Sequence, residues 1–138
     1  MDEMIRYTDS LEGITPELLA GFFVGWPNPP SPETHLRLLA GSMAVELAVD
    51  PATGTVVGFI NAVGDGVLAA YIPLLEVLPE YQGRGIGGEL VRRMLARLDG
   101  LYMVDLLCDP ALQPFYARFG MRPSQGMLIR NYGRQSGE

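Results

Sequence analysis

Residues 75–98 contain, in this order, an apolar run, a glycine-rich turn and an amphipathic stretch, and this succession constrains the fold more than any other feature of the chain. The run that ends at Val77 is apolar enough for a strand buried on both faces, and Pro79 ends it. After the turn, apolar residues recur at helical spacing, at Leu90, Val91, Met94, Leu95 and Leu98. The sequence therefore predicts a strand, a turn and a helix in direct succession.

Four glycines lie between the strand and the helix, at positions 83, 85, 87 and 88. Glycine reaches backbone conformations that are closed to other residues, so successive N–H groups can point into one concavity. The N-terminus of the helix opens from the same turn, with unpaired amides and the positive end of the helix dipole. This combination favours the binding of a phosphate group.

One protein class with this geometry binds dinucleotides. The spacing Gly83-x-Gly85-x-x-Gly88 matches its GxGxxG pattern, and Asp105 lies 20 residues after Gly85, where an acid could hold a ribose. Against it, residues 79–82 separate the strand from the first glycine, and apolar residues follow Asp105 directly. A dinucleotide-binding protein is therefore kept as a remote alternative.

A second class matches more of the residues. Gln82-Gly83-Arg84-Gly85-Ile86-Gly87, preceded by Leu-x-Val-x-Pro at 75–79, closely resembles the acyl-CoA motif of the GCN5-related N-acetyltransferases (GNAT). The resemblance implies that Leu75 and Val77 pair with the pantetheine arm of acetyl-CoA through their backbone. It also implies a cofactor-binding turn made of Gln82, Gly83, Arg84, Gly85, Ile86, Gly87 and Gly88.

The segment Cys108–Pro123, CDPALQPFYARFGMRP, resembles the fourth motif of the same superfamily, especially in aralkylamine acetyltransferases. By that resemblance Tyr116 is the catalytic acid that protonates the leaving CoA thiolate. The alternative is a core tyrosine whose hydroxyl bonds to a carbonyl. Those relatives carry histidine bases at positions held here by Tyr71 and Pro73, so the general base is unassigned.

The same resemblance places an acceptor-amine site between two helices near the N-terminus. Thr15-Pro16-Glu17 and Ser31-Pro32-Glu33 are helix starts, and they predict helices that end near Gly25 and Gly41. The candidate substrate contacts are Phe23 and Trp26, at the proline-rich loop between the two helices. For both aromatic residues the alternative is packing between the helices, and His35, the only histidine, has the same two alternatives, a structural or a functional role.

The remaining elements complete the predicted fold. Further strands are expected at about residues 4–8, 43–49, 55–63, 101–107 and 127–132, and a further helix at 110–120. Pro73 predicts a bulge in the motif strand or its parting from the next strand. The fold class is α/β (α+β): a GNAT-like, mostly antiparallel twisted sheet with a central parallel strand pair splayed around acyl-CoA, flanked by about four helices.

Length and composition limit the domain organisation and the cellular location of the protein. At 138 residues, 48% hydrophobic and 19% charged, the chain is expected to form one domain over residues 1–132, followed by a flexible tail at 133–138. No apolar run approaches 18 residues and no signal-like start is present, so a cytoplasmic location is expected, without a membrane. Cys108 is the single cysteine, which agrees with a reducing compartment and offers no metal cluster.

The function predicted from these observations is an acetyl-CoA-dependent N-acetyltransferase that acts on a primary amine by direct attack in a ternary complex, without a metal. The acceptor is a small molecule or a peptide, and the net charge of −6 favours a cationic small molecule and argues against nucleic acid. A homodimer is left open. The alternative from another class is a non-catalytic module that binds acyl-CoA.

Overall fold

The computed structural model describes residues 4–138, and a five-stranded sheet in the order β1-β2-β3-β4-β5 lies at its centre. The strands are β1 (Arg6–Thr8), β2 (Ala44–Val49), β3 (Val56–Gly64), β4 (Ala69–Val77) and β5 (Met103–Asp105). Neighbours from β1 to β4 are antiparallel, whereas β4 and β5 are parallel. The predicted mixed sheet, mostly antiparallel with one parallel pair, is confirmed. This pair, expected at the centre of the sheet, lies at its edge instead, because β5 has no second neighbour in the described sheet.

Three α-helices are present in residues 4–138, not about four: α1 (Pro32–Ala40), α2 (Ile86–Arg97) and α3 (Gln113–Ala117). Single 3-10 turns lie at Pro16–Leu19, Pro79–Tyr81, Pro110–Leu112 and Tyr132–Arg134. The start of α1 is as predicted, because Ser31 Oγ accepts a hydrogen bond from the Thr34 N–H at 3.1 Å. None of the helices in the described part of the chain is long and apolar enough to cross a membrane.

Each face of the sheet carries a buried apolar cluster. On one face, Leu90, Val91 and Met94 of α2 pack against the strands. On the other, Leu19 and Leu39 pack against residues of β2 and β3 such as Phe59. The helical stripe that the sequence predicts for α2 is therefore its buried side, and the sheet is covered on both faces.

The strand pairing breaks at Pro73, as predicted. Asn61 faces Leu74 and Val63 faces Tyr71, so two residues of β4 stand opposite one residue of β3. On the other side, β5 pairs with β4 only along Ala69–Tyr71. The rest of β4 extends beyond its parallel neighbour and leaves an open strand edge.

The helix predicted for residues 16–25 is wrong. Only Pro16–Leu19 is helical, as a 3-10 turn. Gly21, Phe23 and Gly25 have φ of 95°, 64° and 83°, which a right-handed helix excludes. The prediction followed a valid start signal and missed the glycines that stop the helix.

The strand predicted for residues 127–132 is also wrong, because this segment pairs with no strand in the described structure. Met127 and Ile129 are 99% and 94% exposed. The strand expected at residues 101–107 is shorter, Met103–Asp105. Residues 135–138 lie against α1 and the loop before it, and the flexibility of the tail stays a prediction.

Candidate active site

The glycine-rich turn forms an open cradle at the start of α2. Gly83 and Gly85 have φ of 79° and 82°, a conformation that disfavours any residue with a side chain. A Cβ at either position would have no atom of the described residues within 4 Å, so the turn faces free space. The first helical bond of α2 runs from the Glu89 N–H to the Gly85 oxygen, 3.1 Å. The amides before Glu89 have no acceptor within the helix and point out of its N-terminus.

Gly87 and Gly88 lack a side chain for a different structural reason from Gly83 and Gly85. Both lie inside α2, where the helix approaches α3. A Cβ at Gly87 would lie 3.9 Å from Phe115 Cζ, and one at Gly88 would lie 3.6 Å from Phe119 Cζ and 3.7 Å from Arg118 Nη2. These two glycines keep the two helices close and bring the Arg118 guanidinium beside the cradle.

The open edge of β4 presents the backbone of Leu75 and Val77. The Leu78 N–H donates to the Val57 oxygen at 2.9 Å, and hydrogen-bonding direction alternates along an antiparallel strand. Leu75 and Val77 therefore direct their N–H and C=O groups away from β3, toward the gap left by β5. Gln82 Nε2 donates to the Val77 oxygen at 3.0 Å, which confirms that this carbonyl lies outside the ladder.

A cavity of about 420 Å³ lies beside this open edge and is called the strand-edge cavity here. Leu75, Gln82 and Trp26 are brought together in its wall, although they come from three separate elements; the other lining residues are Val24, Phe59, Pro73, Leu74 and Glu76. Val77, Gly83, Arg84, Gly85, Ile86, Gly87, Gly88 and Tyr116 are not among its lining residues. Phe23 borders a neighbouring cavity instead.

Glu76 fixes the loop that closes the strand-edge cavity. Its carboxylate accepts the Phe23 N–H at 2.8 Å through Oε1 and the Val24 N–H at 3.2 Å through Oε2. The partners of this carboxylate are thus backbone amides of the loop. These bonds hold Phe23 at its positive φ, and they turn the loop so that Trp26 faces β4.

His35 and Glu46 have side chains that can act as bases, but neither lines the strand-edge cavity. His35 is 1% exposed and lies against the rings of Phe22, Phe23 and Phe59, with centroids 5.3, 4.9 and 4.4 Å away. Burial lowers the pKa of His35 to about 4, so it is neutral near pH 7. Glu46 is buried as well, and its carboxylate lies 3.0 Å from Arg97 Nη1.

Tyr116 lies on α3 in a separate cavity of about 100 Å³, whose wall also contains Cys108 and Gln113. Burial, with a smaller effect of Cys108, raises the pKa of Tyr116 above its usual value of 10.0. Among the hydrogen bonds of residues 4–138, none involves the Tyr116 hydroxyl. The hydroxyl is therefore protonated near neutral pH and has no carbonyl partner in the described structure.

The parting of β4 from β5 beside the glycine cradle defines an α/β protein with an open strand edge next to the N-terminus of a helix. The model of the acetyltransferase (GNAT) family matches residues 11–121, and the chain belongs to this family of acyltransferases, which use acetyl-CoA. The predicted resemblance and fold class are confirmed.

Relatives and solved structures agree with this family. The chain is 34% identical over 88 residues to an uncharacterized, ycf52-like N-acetyltransferase of Prochlorococcus marinus, an alignment that covers 62% of this chain and 46% of that protein. The chain thus spans less than half the length of that curated relative. A crystal structure classed as an acetyltransferase from Deinococcus radiodurans is 50% identical, with a TM-score of 0.92 and coverage of 96% of this chain and 92% of that chain. A GNAT-family protein from Streptococcus pneumoniae is 30% identical, with a TM-score of 0.70 and coverage of 93% and 97%.

No group of three or more His, Cys, Asp or Glu residues in the described range 4–138 is placed to hold a metal ion. The absence of a metal requirement stays a prediction. Two features of the site were not predicted from the sequence: the bonds of Glu76 to the loop, and the position of Arg118 beside the cradle. The Glu76 bonds join residues more than 50 positions apart, which a sequence pattern does not record.

Proposed function

We propose that this chain is an acetyl-CoA-dependent N-acetyltransferase that moves the acetyl group to a primary amine by direct attack in a ternary complex. The observation that carries the proposal is the open edge of β4 at Leu75 and Val77, which connects the strand-edge cavity to the glycine cradle. Membership of the GNAT family supports it. The proposed partners are acetyl-CoA and a small-molecule or peptide amine, without nucleic acid or membrane, in the cytoplasm.

The residues present fit the donor. The outward amides of the cradle and of the first turn of α2 suit the pyrophosphate, since they supply donors and the positive end of the helix dipole. Arg84 and Arg118 flank the cradle and can add charge-assisted hydrogen bonds to phosphate oxygens. The outward N–H and C=O groups of Leu75 and the outward N–H of Val77 suit the amide groups of the pantetheine arm, whereas the Val77 C=O already accepts a hydrogen bond from Gln82 Nε2.

Bound in this position, acetyl-CoA supplies an activated acyl group in the form of a thioester. The strand-edge cavity orients the acceptor nitrogen toward the carbonyl carbon, a positioning effect that is a major part of catalysis in such reactions. We assign Tyr116 the role of the acid that gives its proton to the departing sulfur. Its raised pKa keeps that proton available at neutral and moderately alkaline pH.

Removal of the amine proton is not assigned to a side chain. The Glu76 carboxylate lines the strand-edge cavity, but each of its oxygens already accepts a backbone hydrogen bond from the loop. Water and backbone carbonyls beside the parted strand are the proposed acceptors. The amine must therefore arrive partly neutral.

The dinucleotide alternative has a geometric difficulty. Asp105 pairs with Tyr71, and Val77 lies six residues further along β4. At about 3.3 Å per residue this separates the level of Asp105 from the end of β4 by about 20 Å, too far for one ligand ribose next to the cradle. The other alternative, a non-catalytic module that binds acyl-CoA, has no such difficulty. An activity measurement distinguishes it from an enzyme.

The test is a screen of primary amines with acetyl-CoA that follows release of free CoA and detects the acetylated product by mass. We expect turnover with at least one amine class, and no turnover for Gly85→Val, which cannot keep the cradle. Binding of acetyl-CoA without product from any amine would favour the non-catalytic module. Binding of NAD in place of acetyl-CoA would overturn the donor assignment.

A further inference from the structure

A second cavity, of about 340 Å³, adjoins the strand-edge cavity on the other side of Trp26 and is called the tail cavity here. Trp26 and Leu74 line both cavities, so the two spaces are neighbours. The tail cavity lies between the loop before α1, α1 itself and residues 134–137. Its apolar wall includes Phe23 and Leu38.

The charges of the two cavities are opposite. Arg37 and Arg134 line the tail cavity and no acidic residue of the described range 4–138 does, although the chain as a whole carries a net charge of −6. Within residues 4–138, no carboxylate lies at salt-bridge distance from Arg134. Among the residues that the structure describes, Glu76 is the only charged one in the wall of the strand-edge cavity. A molecule that spans both spaces therefore meets a negative end at Glu76 and a positive end at the two arginines.

A carboxylate of the chain itself already lies at the positive end. Glu138 Oε1 accepts a hydrogen bond from Thr34 Oγ1 at 2.8 Å and lies 3.8 Å from Arg37 Nη2. Thr34 is 6% exposed, and the Ser31 hydroxyl donates to Thr34 Oγ1 at 3.2 Å, so this donor is fixed by α1. The corner formed by Thr34 and Arg37 is thus shaped to receive a carboxylate.

We propose that the acceptor is an amine whose apolar body carries a carboxylate at the end remote from the nitrogen. The inference rests on the proposed acetyltransferase function. The amine lies in the strand-edge cavity beside Leu75, the body packs on Trp26, and the carboxylate takes the place of the Glu138 side chain at Thr34, Arg37 and Arg134. The Glu138 side chain then acts as a competitor that the substrate displaces, while Gln135 and Gly137 stay in the wall of the tail cavity.

A matched pair of acceptors tests the charge requirement: 4-(aminomethyl)benzoate and 4-(aminomethyl)benzamide share the amine and the aromatic body. We expect kcat/KM to be higher for the benzoate by about tenfold or more, mainly through KM, because it gains charge-assisted hydrogen bonds. In the Arg37→Gln/Arg134→Gln double variant this ratio should fall close to one. Arg6→Gln, which removes an exposed arginine on the far edge strand, should keep the ratio. Glu138→Gln should lower the KM of the benzoate.

Equal kcat/KM for the two amines, or a ratio that the double variant leaves unchanged, would overturn the inference while the acetyltransferase function stands. A binding arm needs no catalysis: 4-methylbenzoate should raise the melting temperature of the parent protein more than 4-methylbenzamide does, and the double variant should lose the difference. If no amine is acetylated, the proposed function fails, and this arm alone then decides whether the carboxylate site exists.

Discussion

Glu76 determines the shape of the candidate acceptor cavity through two hydrogen bonds. Each of its carboxylate oxygens accepts a backbone N–H of the loop, from Phe23 and from Val24. Phe23 is 4% exposed, so loss of the carboxylate would leave a buried donor unpaired, at a cost of about 1–3 kcal/mol. Glu76 thereby links β4 to the loop that contains Trp26.

His35 makes the stability of the protein depend on pH. Its pKa is lowered from 6.5 to about 4 by burial, so between these values the unfolded state binds more protons than the folded state. The free energy of unfolding should therefore fall as the pH decreases from 6.5 to 4, by up to about 3 kcal/mol, with no contribution from His35 above that range.

Urea unfolding of the parent and of His35→Leu at pH 7 and pH 4.5 measures this effect. His35 is the only histidine, so the variant should show a smaller decrease between the two pH values, whereas the carboxylates contribute equally to both proteins. Parallel decreases would mean that burial does not shift this pKa.

Tyr116→Phe should keep the affinity for acetyl-CoA and lower turnover by about 10²-fold or more, the usual scale for a lost general acid. Tyr102→Phe is the matched control and should have no effect, since Tyr102 is 82% exposed and follows the C-terminal end of α2, whereas the cradle lies at the N-terminal end. The rate of the parent should rise with pH, because the amine substrate loses its proton. The rate should not fall until above about pH 10, because the pKa of the Tyr116 hydroxyl is raised and this acid keeps its proton. A plateau near neutral pH would show that the protein has a base.

At the level of elements, the sequence predicted those parts of the fold whose signals are local. The Ser31-Pro32-Glu33 start of α1 is a capping pattern of adjacent residues, and α2 has its stripe within 12 residues. The bulge at Pro73 follows from one missing N–H. In contrast, the loop at residues 20–26 depends on Glu76, and the unpaired segment 127–132 depends on whether a strand is available to pair with it.

The candidate site, like the fold, was predictable from the sequence only where its residues are adjacent in the chain. The cradle residues are continuous in sequence, and their motif located them. The pairing of Trp26 with Leu75 in one cavity needed the fold, and so did the meeting of Arg37 with Arg134 in the next. Residues brought together across 49 or 97 positions, as in these two pairs, leave no local pattern.

Gly85→Val should abolish stabilisation of the protein by acetyl-CoA. A β-branched residue cannot hold φ at 82°, so the amides of the cradle would turn away from the phosphate. Thermal shift measurements with acetyl-CoA and with NAD test this, and only acetyl-CoA should raise the melting temperature of the parent. Gly100→Ala is the control, because Gly100 has no positive φ and its Cβ would meet no atom within 4 Å in the described structure. A normal shift for Gly85→Val would place the phosphate elsewhere.

At the level of the whole molecule, exposed apolar side chains lie on β5, just after it and in the segment that follows Gly126, where a Cβ at Gly126 would lie 2.8 Å from Leu107 Cδ2. The exposed fractions are 39% for Met103, 43% for Leu107, 99% for Met127 and 94% for Ile129. β5 has only β4 as a neighbour in the described sheet, and the segment that contains Met127 and Ile129 has no strand partner there. An unpaired strand edge next to an apolar segment is a template for pairing with a second chain.

We therefore expect a homodimer in which this surface of one copy covers that of the other. Sedimentation equilibrium should give about twice the chain mass of 15.0 kDa. The double variant Met127→Asp/Ile129→Asp should be monomeric, because two carboxylates would lose their hydration at the contact. Met4→Asp, at an 86% exposed methionine near the opposite edge strand β1, should stay dimeric. A parent protein that sediments as a monomer at all concentrations would contradict the prediction, and the apolar surface would then need another partner.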